Sequence, residues 1–179
     1  MNKSYKPKRI LSINPGIKET GYTVFEGEEL IRYGVKNLRK ENNAIKIVTK
    51  KKNPVLNLLD NFKPHVLILG KLTHPEQKNN PILIKLIRHL KPITRKKKIK
   101  VFEFSLRNAM KSISNDSQPT KMKVAKYVAF LYPELAQYVP TKKRILWNSK
   151  DFYWINMFDA CVLGLAYIKK TYKKYGSKK

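Results

Sequence analysis

The residues best equipped for chemistry in this chain are cations. Lys50, Lys51 and Lys52, then Arg95, Lys96, Lys97 and Lys98, then Lys142, Lys143 and Arg144 form three compact runs, and a basic stretch closes the chain. Adjacent ammonium and guanidinium groups suit the evenly spaced phosphates of a nucleic acid backbone, although each run alone could be a solvated face. Tyr138, Trp147, Phe152, Tyr153 and Trp154 flank the third run, with rings that can stack on splayed bases or pack into a core. Lys18 follows Pro15-Gly16, yet the glycine pattern of a P-loop is absent. His65, His74 and His89 are spaced nine and fifteen residues apart, which gives no helical metal pair. Cys161 sits in an apolar stretch with no histidine nearby in sequence to activate it, and it reads as a buried structural thiol.

The whole chain repeats the message of the clusters. A formal charge of +27 on 179 residues exceeds by far the net charge of roughly 2 to 8 that solubility needs. Such self-repulsion is offset best by a polyanion, and phosphate backbones are the commonest one in a cell. The lysine runs lie among strand-like and aromatic segments, not on one amphipathic helix, so a membrane surface is not expected. One cysteine excludes an internal disulfide and a cysteine-rich zinc finger. No apolar segment reaches the length of a membrane span, and the basic start, Met1 to Arg9, lacks an apolar region behind it. The expected location is the cytoplasm or the nucleoid, with an organelle also open.

Hydrophobic residues make up 42% of the chain, enough for one core, so residues 1–172 are expected to form a single domain and residues 173–179 a flexible basic tail. Arg9 to Ile13, Thr20 to Phe25 and Leu30 to Val35 are β-type runs separated by Asn14-Pro15-Gly16 and Glu26-Gly27-Glu28-Glu29, which predicts an antiparallel meander. Glu41 to Phe62 suits helix broken near Pro54. Val66 to Leu69 reads as a strand buried on both faces and parallel to the first. Ile82, Leu83, Leu86, Ile87 and Leu90 recur at helical spacing before a strand over Ile99 to Phe104, which implies a right-handed crossover. Helices are expected over Ser117 to Leu131 and Asp151 to Tyr172, with Asp151 as N-cap of the second.

Three of these segments resemble the RuvC-like (Holliday-junction resolvase) branch of the ribonuclease H-like superfamily. Ile10 to Val24 reads ILSINPGIKETGYTV, with Asn14 where the family has an Asp; Pro64 to Lys71 reads PHVLILGK, with Gly70 at a Glu position; Asn156 to Tyr167 reads NMFDACVLGLAY. Asp159 matches a family carboxylate there, while Asn156 stands at a second one. The resemblance implies an α/β ribonuclease H-like fold, a mixed five-stranded sheet in which an antiparallel meander is followed by parallel strands, flanked by helices. It also implies a catalytic position formed by Asn14, Gly70, Asn156 and Asp159. Enzymes of this kind cut phosphodiesters with two Mg²⁺ ions about 4 Å apart held by carboxylates. Here only Asp159 keeps a charge, so no cofactor is expected unless the chain is active, in which case Mg²⁺ would bind at Asp159.

Three accounts of the missing carboxylates are open: a fold kept for nucleic acid binding without cleavage, an active endonuclease inactivated by substitution at Asn14, and a shifted site using Glu19, Glu103, Asp116 or Asp151. Alternation along its strand would point Glu103 outward. The partners this leaves are branched DNA or structured RNA, bound through Lys18 and the three cationic runs, with a homodimer allowed. A structural part of a ribosome or other ribonucleoprotein needs only shape and charge, and it remains the alternative.

Overall fold

The computed structural model describes residues 8–16, 18–37, 54–73, 75–114, 116–141 and 150–176. The meander forms as its turns predict. Strand β1 (Arg9–Asn14) pairs antiparallel with β2 (Glu19–Glu26), and β2 with β3 (Glu29–Asn37). Gly27, at φ 65°, supplies the left-handed residue that the tight β2–β3 turn requires. Helix α1 (Pro54–Phe62) leads into β4 (Val66–Gly70), which pairs parallel with β1; α2 (Pro75–Lys78) and α3 (Pro81–Lys96) then cross to β5 (Lys100–Phe104), parallel to β4. The sheet order is β3-β2-β1-β4-β5. Helices α4 (Leu106–Ser114) and α5 (Lys121–Leu131), a 3₁₀ turn (Pro133–Tyr138) and the long α6 (Lys150–Gly176) complete the chain.

Alternation along the central strands sorts the core into two layers. Ile10, Phe25, Val66 and Ile68 face α6, where Phe158, Cys161, Val162 and Leu165 are buried with them. Leu11, Ile13, Val24, Leu67 and Leu69 face the opposite way, against Val55, Leu58 and Leu59 of α1 and Leu86 and Leu90 of α3. Strand β4 is therefore buried along its whole length, as its unbroken apolar run predicts. Ser12, Asn14 and Gly70 fall on the α6 side by the same alternation.

Several boundaries differ from the sequence expectation, each for a local reason. The described part of the Glu41 to Phe62 reading, from Pro54 onward, is helix as expected; the upstream part lies outside the described residues. Helix α3 runs on through Pro92 to Lys96, its start capped by Asn80 Oδ1, which accepts from the N–H groups of Ile82 (3.0 Å) and Leu83 (3.2 Å). Helix α4 was not expected, although Leu106, Ala109, Met110 and Ile113 carry a helical spacing and the last three are buried. Helix α5 begins after Thr120, whose Oγ1 accepts from Lys123 N–H at 3.2 Å, so the helix starts at Lys121 and not at Ser117. Asp151 is inside α6 and not its N-cap, because the helix already includes Lys150.

Candidate functional site at the carboxyl ends of the parallel strands

The resemblance placed Asn14, Gly70, Asn156 and Asp159 in one site, and the backbone brings them together. Ile13 pairs with Leu69 in the parallel β1–β4 ladder, so Asn14 and Gly70 end adjacent strands side by side on the face toward α6. Asn14 also pairs with Gly21 of β2. There α6 lies so close that a Cβ on Gly21 would be 1.8 Å from the Asn156 carbonyl oxygen, so only glycine admits the helix. This contact sets Asn156 over the strand ends, its Oδ1 within 3.8 Å of where a Cβ on Gly16 would stand. Asp159 follows one turn later on the same helix face.

The polar atoms then interlock. Asn14 Nδ2 donates to Asp159 Oδ2 at 3.3 Å, an orientation fixed by chemistry because a carboxylate only accepts. Its Oδ1 consequently turns toward Gly70, where a Cβ would meet that oxygen at 2.9 Å and Leu163 Cδ1 at 3.1 Å. The Asn14 amide thus occupies room that a side chain at position 70 would need. Asp159 Oδ2 also accepts from Lys121 Nζ at 2.7 Å. The Asp159 side chain is 5% exposed and that of Lys121 44%. Burial pushes the Asp159 carboxyl above its ordinary range, and the Lys121 ammonium pulls it back part of the way.

Lys121 escaped the sequence reading because its contact spans 38 residues. One signal was present: a lysine in the first turn of a helix faces the positive end of the macrodipole, an unfavourable place unless an anion waits nearby. Lys18 is half-buried beyond the Pro15-Gly16 turn, and that turn is tied to α2 by Gln77 Nε2 donating to Pro15 O at 3.4 Å. Lys71 directly follows Gly70, its N–H bonded to Phe104 O at 2.9 Å.

Among the described residues, the run from Arg95 to Lys98 is not part of this cluster. Arg95, Lys96, Lys97 and Lys98 end α3 just before β5 begins, at the amino edge of the parallel strands. With β4 and β5 each five residues long, that edge is roughly 13 Å or more from Asn14 at about 3.3 Å per residue. Lys97 pairs there with Asp60 at 2.8 Å, and Lys98 takes the left-handed conformation, φ 55°, that ends the helix. Lys50, Lys51, Lys52, Lys142, Lys143 and Arg144 lie outside the described residues.

Among the described residues, no alternative carboxylate is seen to join Asp159. Glu103 pairs with Leu69 and shares its side of the sheet, away from α6, and it is exposed as alternation predicts. Asp116 is bound to Lys123 at 3.1 Å. Glu19 stands at the start of β2 near Tyr153, whose hydroxyl is pushed up by burial and, to a lesser degree, by the Glu19 charge. The Asp151 side chain lies outside the described residues. His65 Nδ1 accepts from Arg9 N–H at 3.1 Å, the His89 ring bonds Lys85 O one helical turn back, and His74 is outside the described residues. Among the aromatics, Tyr138 and Trp154 pack together with ring centroids 4.2 Å apart against the α6 core, and Tyr153 donates to Val35 O at 3.3 Å. Those rings serve packing; Trp147 and the Phe152 side chain lie outside the described residues.

No protein-family profile matches the chain, and no curated protein matches it in sequence. Solved structures do match in shape. The Thermus thermophilus RuvC in complex with Holliday junction substrate is similar with a TM-score of 0.65 and 16% identity, over 89% of this chain and 92% of that one. The yeast mitochondrial Holliday junction resolvase gives a TM-score of 0.67 at 15% identity, over 97% of this chain and 85% of that one. This chain has a RuvC-like fold. The fowlpox virus resolvase, solved with substrate Holliday junction DNA, agrees at a TM-score of 0.55 and 18% identity over 91% of this chain and 98% of that one. Across this RuvC-like fold, no described helix is long and apolar enough to cross a membrane.

The two divalent ions implied by the sequence resemblance do not suit the residues present. Magnesium takes hard anionic oxygens, whereas Asn14 and Asn156 are neutral, Gly70 has no side chain, and the contacted oxygen of Asp159 already accepts from an ammonium. Among the described residues no three acidic, histidine or cysteine side chains gather where a metal could bind.

Proposed function

We propose that this chain binds branched DNA through its RuvC-like fold and a positive surface, without cutting it by a two-metal route. The observation that carries the reading is the shape match over about nine-tenths of the chain to resolvases that were solved on Holliday junctions. The net charge of +27 supports it, since a polyanion offsets the self-repulsion of the fold. The absence of cleavage is supported by the single carboxylate among the four positions and by the lysine that contacts it. Lys18 and Lys71 are the cations nearest in sequence to the strand ends, the run at 95–98 would hold a more distant arm of a junction, and the runs at 50–52 and 142–144 are further phosphate contacts.

The test is a labelled four-way DNA junction incubated with the protein in Mg²⁺, alongside salt titrations of binding to the same junction, to linear duplex and to structured RNA. Binding to the junction without strand scission is the expected result, with log K falling by about 0.9 per phosphate contact on duplex DNA as log salt rises. Mg²⁺-dependent scission would overturn the inactive half of the reading. Preference for the structured RNA would overturn the DNA half and favour a ribonucleoprotein component.

A further inference from the structure

We propose that the hollow between α4, α5 and α6, beside the β2–β3 turn, is a protein-docking site that receives the apolar face of a basic amphipathic helix from a different protein. The site is remote from the strand ends that carry Asp159. Glu26 pairs with Arg9, so the β2–β3 turn stands at the opposite end of β1 from Asn14. Along α6, Ile168 in the wall of the hollow follows Asn156 by about 18 Å at 1.5 Å per residue.

Shape makes the first part of the argument. Val124, Ala125, Val128 and Ala129 already bury the inner face of α5. Its last turns nevertheless carry Phe130, Leu131 and Tyr127 at 80%, 41% and 40% exposure, and adjoining bulky apolar groups in water mark a contact surface. Tyr127 and Leu131 also line a hollow of about 290 Å³, with Ile113 of α4 and Leu165 and Ile168 of α6 as its other apolar walls. That volume is at the lower limit of the roughly 300 to 1,000 Å³ of small-molecule pockets. It suits one or two anchoring side chains better than a cofactor.

Charge then selects the occupant. Glu28 lines the hollow and is exposed, as are Glu29 in the same turn and Glu134 in the 3₁₀ turn. Tyr132, two residues before Glu134, ties the two turns together by donating its hydroxyl to Glu28 O at 2.8 Å. Among the described residues none of these three carboxylates forms an ion pair, although the chain has 39 cationic side chains against 12 acidic ones. Neighbouring lysines are engaged elsewhere: Lys169 Nζ donates to Ser112 O and Lys123 Nζ to Asp116 Oδ2, while Lys126 stays exposed beside the patch. This edge is thus acidic on balance in a cationic molecule. Phosphates of a nucleic acid would face three carboxylates there, and a second copy packed on it by a two-fold axis would set the same three against their own images. A helix of another protein, with Lys or Arg flanking its apolar stripe, satisfies both the hollow and the carboxylates.

The experiment titrates the full chain into a fluorescein-labelled Leu/Lys peptide patterned as an amphipathic helix of about five turns, and follows its anisotropy at physiological salt. Saturable binding is expected. Phe130→Ser with Leu131→Ser should weaken it about tenfold, as the loss of anchor contacts does. Glu28→Gln with Glu29→Gln and Glu134→Gln should weaken it about fivefold and flatten its salt dependence. All of these positions are exposed, so both variants should fold, which thermal unfolding checks; if the double serine variant unfolds, Phe130→Ser alone takes its place. No binding by the wild-type chain, or wild-type affinity in either folded variant, overturns the proposal. A loss of four-way junction affinity in the serine variant overturns it too, by making the patch a nucleic-acid contact. So does self-association of the wild-type chain in sedimentation that the serine variant abolishes, because the occupant is then a second copy.

Discussion

The two ends of the parallel strands carry the same kind of ion pair in opposite circumstances. At the carboxyl end Lys121 meets an Asp159 side chain that is 5% exposed; at the amino end Lys97 meets an Asp60 that is 59% exposed. Water solvates the second pair whether or not it forms, and such surface bridges are worth about 0 to 1 kcal/mol. The first carboxylate has lost its water and depends on Lys121 and Asn14 for what replaces it. Equal formal charges therefore mean different things at the two ends: at one they are a solvated coating, at the other a fitted part. A count of lysines in the sequence cannot separate the two.

The contrast can be tested by substitution, beginning with the change that should cost most. Gly70→Glu places a Cβ 2.9 Å from Asn14 Oδ1 and 3.1 Å from Leu163 Cδ1 and brings a second carboxylate toward Asp159, so a destabilisation of about 3 kcal/mol is expected from overpacking and charge burial together. Urea unfolding would measure it, and an unchanged midpoint would show that the carboxyl end is less tightly filled than described. Lys121→Met orphans Asp159. Breaking a fully buried pair costs about 3 to 5 kcal/mol, and the partial exposure of Lys121 brings the expected loss to about 2 kcal/mol. Adding Asp159→Asn to it should recover most of that loss.

A smaller effect concerns pH. Asp159 titrates in the folded protein above its ordinary value near 3.8, so folding takes up a proton between the two values. The stability this group contributes is greatest below that ordinary value and is lost as pH rises through the raised one. Asp159→Asn should abolish this part of the pH dependence, seen as a flatter plot of unfolding midpoint against pH from acid to neutral. An identical slope in both proteins would mean that Lys121 fully offsets the burial. The smallest effect belongs to the amino end, where Asp60→Asn should change stability by no more than about 0.5 kcal/mol. A loss as large as that from Lys121→Met would erase the distinction between the two ends.

Much of the frame was legible because its signals are local. The Asn14-Pro15-Gly16 turn, the unbroken apolar run of β4 and the apolar stretch around Asp159 each announce an element within a few residues, and the RuvC-like resemblance tied them into one sheet. What was missed is non-local. Lys121 reaches Asp159 across 38 residues, and the clash between the Asn14 amide and any side chain at position 70 exists only once β1 and β4 are paired. The placement of Arg95 to Lys98 was readable in principle: a helix crossing from one parallel strand to the next must return to the amino edge before the new strand starts.

Cys161 lies two residues beyond Asp159 on α6, fully buried, its thiol pushed far above the ordinary range by desolvation. It is the chain's single cysteine. A thiol in that state does not react until the helix lifts from the sheet, so the rate at which an aromatic disulfide reagent modifies the native protein reports how often that interface opens. The molecule thus carries its own clock for the motion that would release Asp159, readable without attaching a probe. If a bound junction holds α6 against the strands, that clock will slow.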